Sequence, residues 1–162
     1  MQARPANPGD AEAAARIYNA GIAERVATFE TRPRSAEEMA PLLDGSYPAV
    51  VVVEDGTVVA FAWTSAYSPR ACYSGVAEFS VYTDPVRRGR GAGRLAMGAL
   101  IPEAERRGFW KLLAKVFVEN APSRNLLRSL GFREVGVHKR HARLDGAWRD
   151  VVLLEKLIPE NL

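Results

Sequence analysis

One stretch in the middle of the chain carries most of the information about the fold: Val81-Tyr82-Thr83-Asp84-Pro85-Val86-Arg87-Arg88-Gly89-Arg90-Gly91-Ala92-Gly93-Arg94. Its first three residues end an apolar strand, and a proline then stops that strand. The glycines lead directly into an amphipathic helix, predicted from about Gly91 to Arg107. Free amides at the helix start, and glycines that allow close approach, favour a phosphate or pyrophosphate ligand. The arginines add charge-assisted donors.

Two common phosphate-binding motifs do not match this loop. A P-loop requires Lys-Ser or Lys-Thr after its last glycine, and neither follows here. The dinucleotide fingerprint G-x-G-x-x-G places Arg94 at the third glycine when it is counted from Gly89. Counted from Gly91 it places Ala96 there, but no acidic residue follows about 20 positions later. The remaining pattern is Arg88-x-x-Gly91-x-Gly93, for which a solvated basic helix start is the alternative interpretation.

Length and composition fit one globular domain spanning residues 1–162. Apolar residues make up 48% of the chain and charged residues 25%, which excludes wholesale disorder. The single cysteine, Cys72, cannot form an internal disulfide. No apolar run approaches the roughly 20 residues of a membrane span, and the first residues contain no signal-peptide pattern. We therefore expect a cytoplasmic protein with no membrane partner.

The charge balance argues against a nucleic-acid partner. Lys and Arg number 22 against 19 Asp and Glu, which leaves a net charge of +3 and a weak overall field. The basic residues are concentrated in one place, where Arg87, Arg88, Arg90 and Arg94 fall within eight residues. Such a cluster suits a compact anion better than a long polyanion. A nucleic-acid binder that uses this cluster remains an alternative class.

The rest of the chain alternates helices and strands, which indicates a mixed α/β sheet that is part antiparallel and part parallel. Helices are predicted over residues 11–24, with Asp10 as N-cap, from Ser35 to about 44, and over 120–130. Strands are predicted over residues 49–53, 57–66, 76–83, 110–117, 133–140 and 148–157, with tight turns at Asp55-Gly56 and Asp145-Gly146.

The pattern Arg88-x-x-Gly91-x-Gly93 after Val81-Tyr82-Thr83 resembles the acetyl-CoA motif of the GNAT family of N-acetyltransferases. Six segments in order are similar to its phosphinothricin, methionine sulfoximine and arsinothricin N-acetyltransferases: residues 27–31, 70–73, 77–82, 119–123, 130–132 and 146–151. The resemblance spans almost the whole chain. It implies the GNAT fold, an α/β (α+β) architecture with about six to seven strands and about four helices. Acetyl-CoA would bind in the splay between the two central parallel strands.

The resemblance also implies the residues of the acetyl-CoA site. The backbone of Val81, Tyr82 and Thr83 would pair with the pantetheine arm. Asn120 and Ser123 match positions that hydrogen-bond the cofactor, although Asn120 also suits the N-cap of the next helix. The pyrophosphate would be held by the loop residues Arg88, Gly89, Arg90, Gly91, Ala92, Gly93 and Arg94. We expect no metal site, because two histidines and one cysteine stand at unrelated spacings.

Glu78 matches the family's general-base position. The reaction needs a base, because a substrate ammonium cannot attack a thioester until it loses a proton. On strand alternation Glu78 shares a face with Ser80 and Tyr82, opposite Phe79 and Val81. Without the resemblance, a solvent-facing glutamate on an antiparallel strand would be the ordinary interpretation.

Three residues match the substrate segments of the subgroup. Arg70 would bind the carboxylate or phosphinate of an amino-acid analogue, and Tyr73 lies in the same segment. Phe29 would line the pocket from the loop after the first helix. Arg70 is otherwise explained as a turn residue after Ser68-Pro69. The resemblance thus implies acetyl transfer to the α-amine of a small glutamate-like analogue, in a ternary complex.

The chain departs from the family in the helix before Leu130-Gly131-Phe132. Leu127 occupies the position at which several members of the subgroup carry a histidine, and no tyrosine stands near it. An acid for the leaving thiolate would come from elsewhere or be dispensable, since a thiol pKa of about 8–9 makes the thiolate a tolerable leaving group. The candidates are Tyr73, Tyr82, His138 and His141, and we expect both histidines to be exposed on the closing hairpin.

Other functions stay open at this point. One alternative is a GNAT enzyme for another small amine or for a protein N-terminus. Another is a non-catalytic module that binds acyl-CoA. The resemblance also implies a homodimer, with the closing hairpin around Trp148 as a candidate interface.

Overall fold

A mixed sheet of seven strands forms the centre of the structure, a computed structural model that describes residues 1–162. The strands are β1 (Gln2–Pro5), β2 (Ala49–Glu54), β3 (Thr57–Ala66), β4 (Val76–Thr83), β5 (Lys111–Phe117), β6 (Arg133–Leu144) and β7 (Ala147–Leu157). The helices are α1 (Ala11–Glu24), α2 (Ala36–Met39), α3 (Ala92–Arg106) and α4 (Ala121–Ser129). Across the sheet the strand order is β1-β2-β3-β4-β5-β7-β6, which confirms the predicted mixed α/β architecture.

The helices pack on both faces of the sheet and divide the core in two. On one face, Met97 of α3 and Leu127 of α4 join a cluster of 20 buried residues that includes Ala77 and Phe79 of β4. On the other face, α1 and α2 contribute to a cluster of 12 buried residues, against which Tyr82 packs. This division confirms the predicted alternation along β4, because Tyr82 points to the face opposite Phe79.

The parallel pairing of β4 with β5 is short and then ends. The register joins Val76 to Lys111 and Glu78 to Leu113, and no paired residues follow. Every other pairing in the sheet is antiparallel. Because β4 continues to Thr83 and β5 to Phe117, the last residues of the two strands are not paired with each other, and a cleft lies between them. The structure therefore contains the splay between parallel strands that the family resemblance implied.

Two features of the N-terminal half differ from the sequence prediction. The strand β1 was not predicted, because four residues with two polar side chains carry no apolar alternation. It is an edge strand on β2, and Arg4 donates to both carboxylate oxygens of Asp10 at 2.9 and 2.7 Å. Asp10 also accepts from the Asn7 amide and therefore does not cap α1 through its side chain.

The second predicted helix is shorter than expected. It is α-helical only over Ala36–Met39 and continues as a 3-10 turn over Ala40–Leu43, because Pro41 has no amide hydrogen to extend the α-helical ladder. None of the four helices has both the length and the apolar character needed to span a bilayer.

The strand β6 is longer than predicted and is interrupted by two irregularities. It reaches Leu144 instead of residue 140, with register shifts between Glu134 and Gly136 and between His138 and Ala142. At the second shift Arg140 adopts a left-handed conformation with φ of 47°, and its amide donates to Asp150 at 2.7 Å. Such a bulge breaks the period-2 pattern, which is why the sequence predicted an early end.

Candidate active site

The cleft between β4 and β5 is lined by residues from both strands and from α4. We call it the splay cleft. It is about 40 Å³ in volume. Its lining includes Val81 and Tyr82 of β4, Val116 of β5, and Asn120, Ser123 and Leu127 at α4. On the β3 side, Val81 and Tyr82 pair with Ala62 and Phe61, but on the β5 side they have no strand partner. Backbone groups on that side are therefore free to pair with an extended polyamide chain.

The start of α4 lies at the same cleft. The Asn120 side chain accepts from the Ser123 amide at 3.3 Å, so it caps the helix as well as lining the cleft. Both predicted roles of Asn120 are thus compatible in one conformation. Leu127 is almost fully buried and adds an apolar wall at the position for which the resemblance implied a histidine.

The glycine-rich loop ends at the N-terminus of α3, with Gly91 as the N-cap residue. Gly91 has φ of 89°, and no side chain caps the helix. The first amides of the helix, from Ala92 to Arg94, therefore have no intrahelical acceptor and carry the positive end of the helix dipole. A Cβ added at Gly91 would meet nothing within 4 Å, whereas at Gly93 it would lie 3.2 Å from Leu126. Gly91 thus leaves open space, and Gly93 allows close packing against α4.

Three of the four arginines in this loop are engaged by carboxylates. Arg88 donates twice to Glu24, at 2.8 and 2.7 Å. Arg87 and Arg90 both pair with Glu54. Arg94 instead donates to the Ser129 hydroxyl at 2.7 Å. The local positive charge is therefore smaller than the sequence suggested, and the backbone amides and Arg94 carry most of the capacity to bind an anion.

A larger cavity lies beside the splay cleft. We call it the acceptor cavity, and it is about 370 Å³ in volume. Its wall combines the loop after α1, from Ala27 to Glu30, with Phe117 of β5 and His141 of β6. Phe29 lies in this wall, and its ring meets that of Phe117 edge-on at 4.7 Å. The two cavities share four lining residues, Ala27, Ser80, Tyr82 and Lys115, so groups bound in them would lie next to each other.

Glu78 lies at the last paired position before β4 and β5 separate. Its side chain is 31% exposed, and its Oε1 lies 3.5 Å from the Nζ of Lys115. Lys115 is 44% exposed and lines both cavities. Sequence reasoning missed Lys115. The available signal was a single charged residue inside the apolar strand Leu112-Leu113-Ala114-Lys115-Val116-Phe117.

Tyr82 is the aromatic residue common to both cavities. Its ring stacks on Trp63 at 5.6 Å and meets Tyr18 edge-on at 5.1 Å. Burial is the main reason that the pKa of Tyr82 is raised above its usual value of 10.0. The phenol therefore stays protonated across the physiological pH range and is available as a hydrogen-bond donor.

The remaining predicted residues divide into two groups. His138 and His141 are both exposed on β6, as predicted, and their rings stack at 4.6 Å. The bulge in β6 brings His141, but not His138, into the lining of the acceptor cavity. Arg70 and Tyr73 line neither cavity. Both are exposed on the loop between β3 and β4, where the Arg70 guanidinium lies 5.8 Å from the Tyr73 ring.

Comparison with known proteins agrees with this geometry. Residues 14–132 match the acetyltransferase (GNAT) family. The L-methionine sulfoximine/L-methionine sulfone acetyltransferase of Salmonella typhimurium is 31% identical over 166 residues, covering 99% of this chain and 96% of that protein. A GNAT superfamily phosphinothricin acetyltransferase from Sinorhizobium meliloti, solved in complex with acetyl-CoA, is 30% identical with a TM-score of 0.90. That alignment covers 97% of this chain and 88% of the other.

A third similar protein is named for a different kind of substrate. The ribosomal-protein-alanine N-acetyltransferase from Brucella melitensis has a TM-score of 0.93 and 30% identity, covering 98% of this chain and 100% of that one. The chain therefore belongs to the GNAT family and is an acetyl-CoA-dependent N-acetyltransferase.

Replacing Gly91 with alanine tests the role of the loop amides. We expect Gly91→Ala to weaken acetyl-CoA binding roughly 10-fold or more, because a left-handed backbone disfavours alanine and the amides would lose their alignment. Gly45→Ala is the matched control, since Gly45 also has φ of 90° and no atom within 4 Å of an added Cβ. Isothermal titration with acetyl-CoA measures both variants. Equal affinities for the two would contradict the assignment.

Proposed function

We propose that this enzyme transfers the acetyl group of acetyl-CoA to the α-amine of a small glutamate-like amino-acid analogue. The analogue would be of the phosphinothricin, methionine sulfoximine or arsinothricin type. The observation that carries the proposal is the shared wall of the splay cleft and the acceptor cavity, because it would put thioester and amine in contact. The names of two similar proteins, for phosphinothricin and methionine sulfoximine, support the substrate class.

In this proposal acetyl-CoA binds along β4. The unpaired backbone of Val81 to Thr83 holds the pantetheine arm, and Asn120 and Ser123 contact it from α4. The amides from Gly89 to Arg94 hold the pyrophosphate. Arg88 and Arg90 contribute only if they exchange their carboxylate partners for the phosphate oxygens. Acetyl-CoA supplies the activated acetyl group and a thiolate leaving group.

Glu78 acts as the general base in the ternary complex. It stands where β4 leaves β5, one alternate position before Ser80, so it shares the face on which the acceptor cavity opens. From there it takes a proton from the substrate ammonium, directly or through a water. The neutral amine then attacks the thioester carbonyl, and the C–S bond breaks to release the thiolate of CoA.

Leu127 is apolar and cannot protonate the thiolate, so an acid comes from another residue or is dispensable. Of the four residues that the sequence suggested, Tyr82 and His141 line the acceptor cavity, and only Tyr82 also lines the splay cleft. Tyr82 is therefore the best placed of the four. Because burial raises its pKa, its phenol would keep its proton and stabilise the thiolate as a hydrogen-bond donor.

The substrate pocket is the acceptor cavity, with Phe29 as an apolar wall. Arg70 and Tyr73 would reach a bound analogue only after a rearrangement of their loop or from a second chain. A homodimer that uses the closing hairpin stays part of the proposal, since Trp148 is 51% exposed there and Val135 and Val137 are exposed on the edge strand β6. The exposed thiol of Cys72 suits a reducing cytoplasmic location.

A protein N-terminus is the second candidate substrate. One observation favours it, namely the similarity to a ribosomal-protein-alanine N-acetyltransferase. A peptide would have to enter the acceptor cavity with its chain continuing towards solvent. The two candidates are distinguished by the group beside the reacting amine, which is a carboxylate in the analogue and an amide in the peptide.

Release of CoA measures the substrate class directly. We expect turnover with phosphinothricin, methionine sulfoximine or arsinothricin, with little for glutamate or methionine, and none for an alanine-initiated peptide. A thiol reagent detects the product, and Cys72 adds at most one background thiol for each chain. Turnover of the peptide alone would replace the first candidate by the second. Tight binding of acetyl-CoA without turnover of any amine would contradict both candidates and favour a binding module.

Glu78→Gln tests the base. We expect kcat to fall by about 10²- to 10⁴-fold while the affinity for acetyl-CoA is unchanged, because the amide cannot accept a proton. Glu155→Gln is the matched control. Leu113 of β5 has Glu78 of β4 as its neighbour on one side and Glu155 of β7 on the other, so both glutamates lie on the same face of the sheet. Glu155 pairs with Lys111 of β5 at 3.2 Å. Steady-state kinetics and a thermal melt of both variants are needed. Equal loss of rate in both variants would contradict the role of Glu78.

A further inference from the structure

Lys115 is the residue of the site that neither the family pattern nor the proposed reaction uses. It is a cation inside an apolar strand, it lines both cavities, and its ammonium lies 3.5 Å from Glu78. Its side chain is 44% exposed and stands in the wall shared by the two cavities, where its ammonium can reach an anionic group bound in either one. We propose that Lys115 and Glu78 together form a receptor for the zwitterionic head of a free α-amino acid. Glu78 takes the ammonium, and Lys115 takes the carboxylate.

This inference rests on the proposed function, because it assumes that an amine is acetylated beside Glu78. It adds the feature that selects the substrate. A free α-amino acid has a carboxylate next to its amine, whereas a peptide N-terminus has a neutral amide there. Lys115 therefore favours the first candidate substrate over the second through the charge of a single group.

The distances fit a zwitterion placed beside the ion pair. Standard bond lengths put the nitrogen of an α-amino acid about 3 Å from its nearer carboxylate oxygen. Charge-assisted hydrogen bonds to the two protein groups are also about 3 Å long. With 3.5 Å between Nζ of Lys115 and Oε1 of Glu78, the four charges can form a closed, alternating quadrilateral. Each charge then has two opposite neighbours.

The ion pair is easily rearranged for a ligand. The two side chains are 44% and 31% exposed, and water screens a pair of this kind, so little stability is lost when its distance changes. Glu78 is the only carboxylate with which Lys115 pairs. Glu30 is the one carboxylate residue in the lining of the acceptor cavity, and it is held by Arg34 at 2.6 Å, whereas Glu78 lies outside that lining at the last paired position of β4. Lys115 is thus free to accept a second anionic partner.

The position of Arg70 strengthens the assignment. Arg70 was expected from the sequence to bind the carboxylate or the phosphinate, but it lies on an exposed loop outside both cavities. Lys115 is the only lysine or arginine that lines either cavity. Lys115 therefore takes the contact with the α-carboxylate, which leaves Arg70 for the distal anion if its loop closes.

The test compares L-methionine sulfoximine with its α-carboxamide in the wild type and in Lys115→Met. The acid differs from the amide in amine basicity, but that difference cancels when the acid-to-amide ratio of kcat/KM is compared between variants. We expect Lys115→Met to lower kcat/KM for the acid roughly 10- to 100-fold, mainly through KM, since one charged hydrogen bond is lost. The value for the amide should stay within about threefold.

Two control variants complete the experiment. Lys111→Met removes the other lysine of β5, which pairs with Glu155 and lines neither cavity, and should leave the acid-to-amide ratio unchanged. Lys115→Arg keeps the charge and should retain most of the preference for the acid. Lys115→Gln replaces Lys115→Met if a thermal melt shows that the methionine variant is not folded.

Each outcome decides between the roles. An equal loss on acid and amide in a folded Lys115→Met variant, or an unchanged ratio, overturns the receptor and leaves the acetyltransferase proposal intact. The receptor is also overturned if the wild-type enzyme acetylates the amide and the acid equally fast and Lys115→Met changes neither rate. Failure of the wild type to acetylate either compound or any other amine of the panel overturns the proposed function and this inference together.

Discussion

The site depends on the point at which β4 and β5 stop pairing. Their parallel register covers only Val76 to Glu78, and both strands then continue for several residues. A sheet normally satisfies backbone groups through its neighbouring strands, so an early end to one ladder leaves polar groups that seek another partner. In this enzyme the splay cleft exposes that backbone beside the acceptor cavity. The proposed function places the cofactor and the substrate next to each other at this short segment of β4, where the two cavities share a wall.

Charge is distributed unevenly around this segment. At the end that leads into the glycine-rich loop, Glu24 and Glu54 pair with three arginines and offset two of their three positive charges, while Arg94 and the first amides of α3 have no carboxylate partner. At the end where β4 leaves β5, a single cation, Lys115, stands beside a single carboxylate, Glu78. A phosphate is recognised by many donors in a fixed cradle, whereas a zwitterion needs one charge of each sign. The ligands proposed for the two ends of the segment fit these two patterns of charge.

Much of this arrangement followed from the sequence, because its signals are local. The proline and glycines after Thr83 predicted the end of β4 and the start of α3 within a residue, and the alternation around Glu78 predicted its face. The family resemblance supplied the expectation of a splay, and the short register of β4 with β5 confirmed it. Phe29 was likewise found in the wall of the acceptor cavity.

The rest could not be predicted, because it depends on partners far apart in the chain. Glu24, which pairs with Arg88, is 64 residues away in the sequence, and Glu54, which pairs with Arg87, is 33 residues away. Lys115 meets Glu78 only because the register places Leu113 opposite Glu78. The bulge that brings His141 to the cavity breaks the very periodicity by which strands are recognised. Arg70 was assigned by motif, and its exposed loop shows that a motif does not fix a side chain's surroundings.

A crystal structure of the enzyme with CoA and L-methionine sulfoximine tests the central claim most directly, which is that the splay brings thioester and amine together. We expect the pantetheine arm between β4 and β5, and its sulfur beside Ser80 and Tyr82. The substrate nitrogen should lie within about 3 Å of Glu78 or of a water bound to it. A pantetheine arm outside the splay, or an amine on the face of the sheet that α3 covers, would contradict the account.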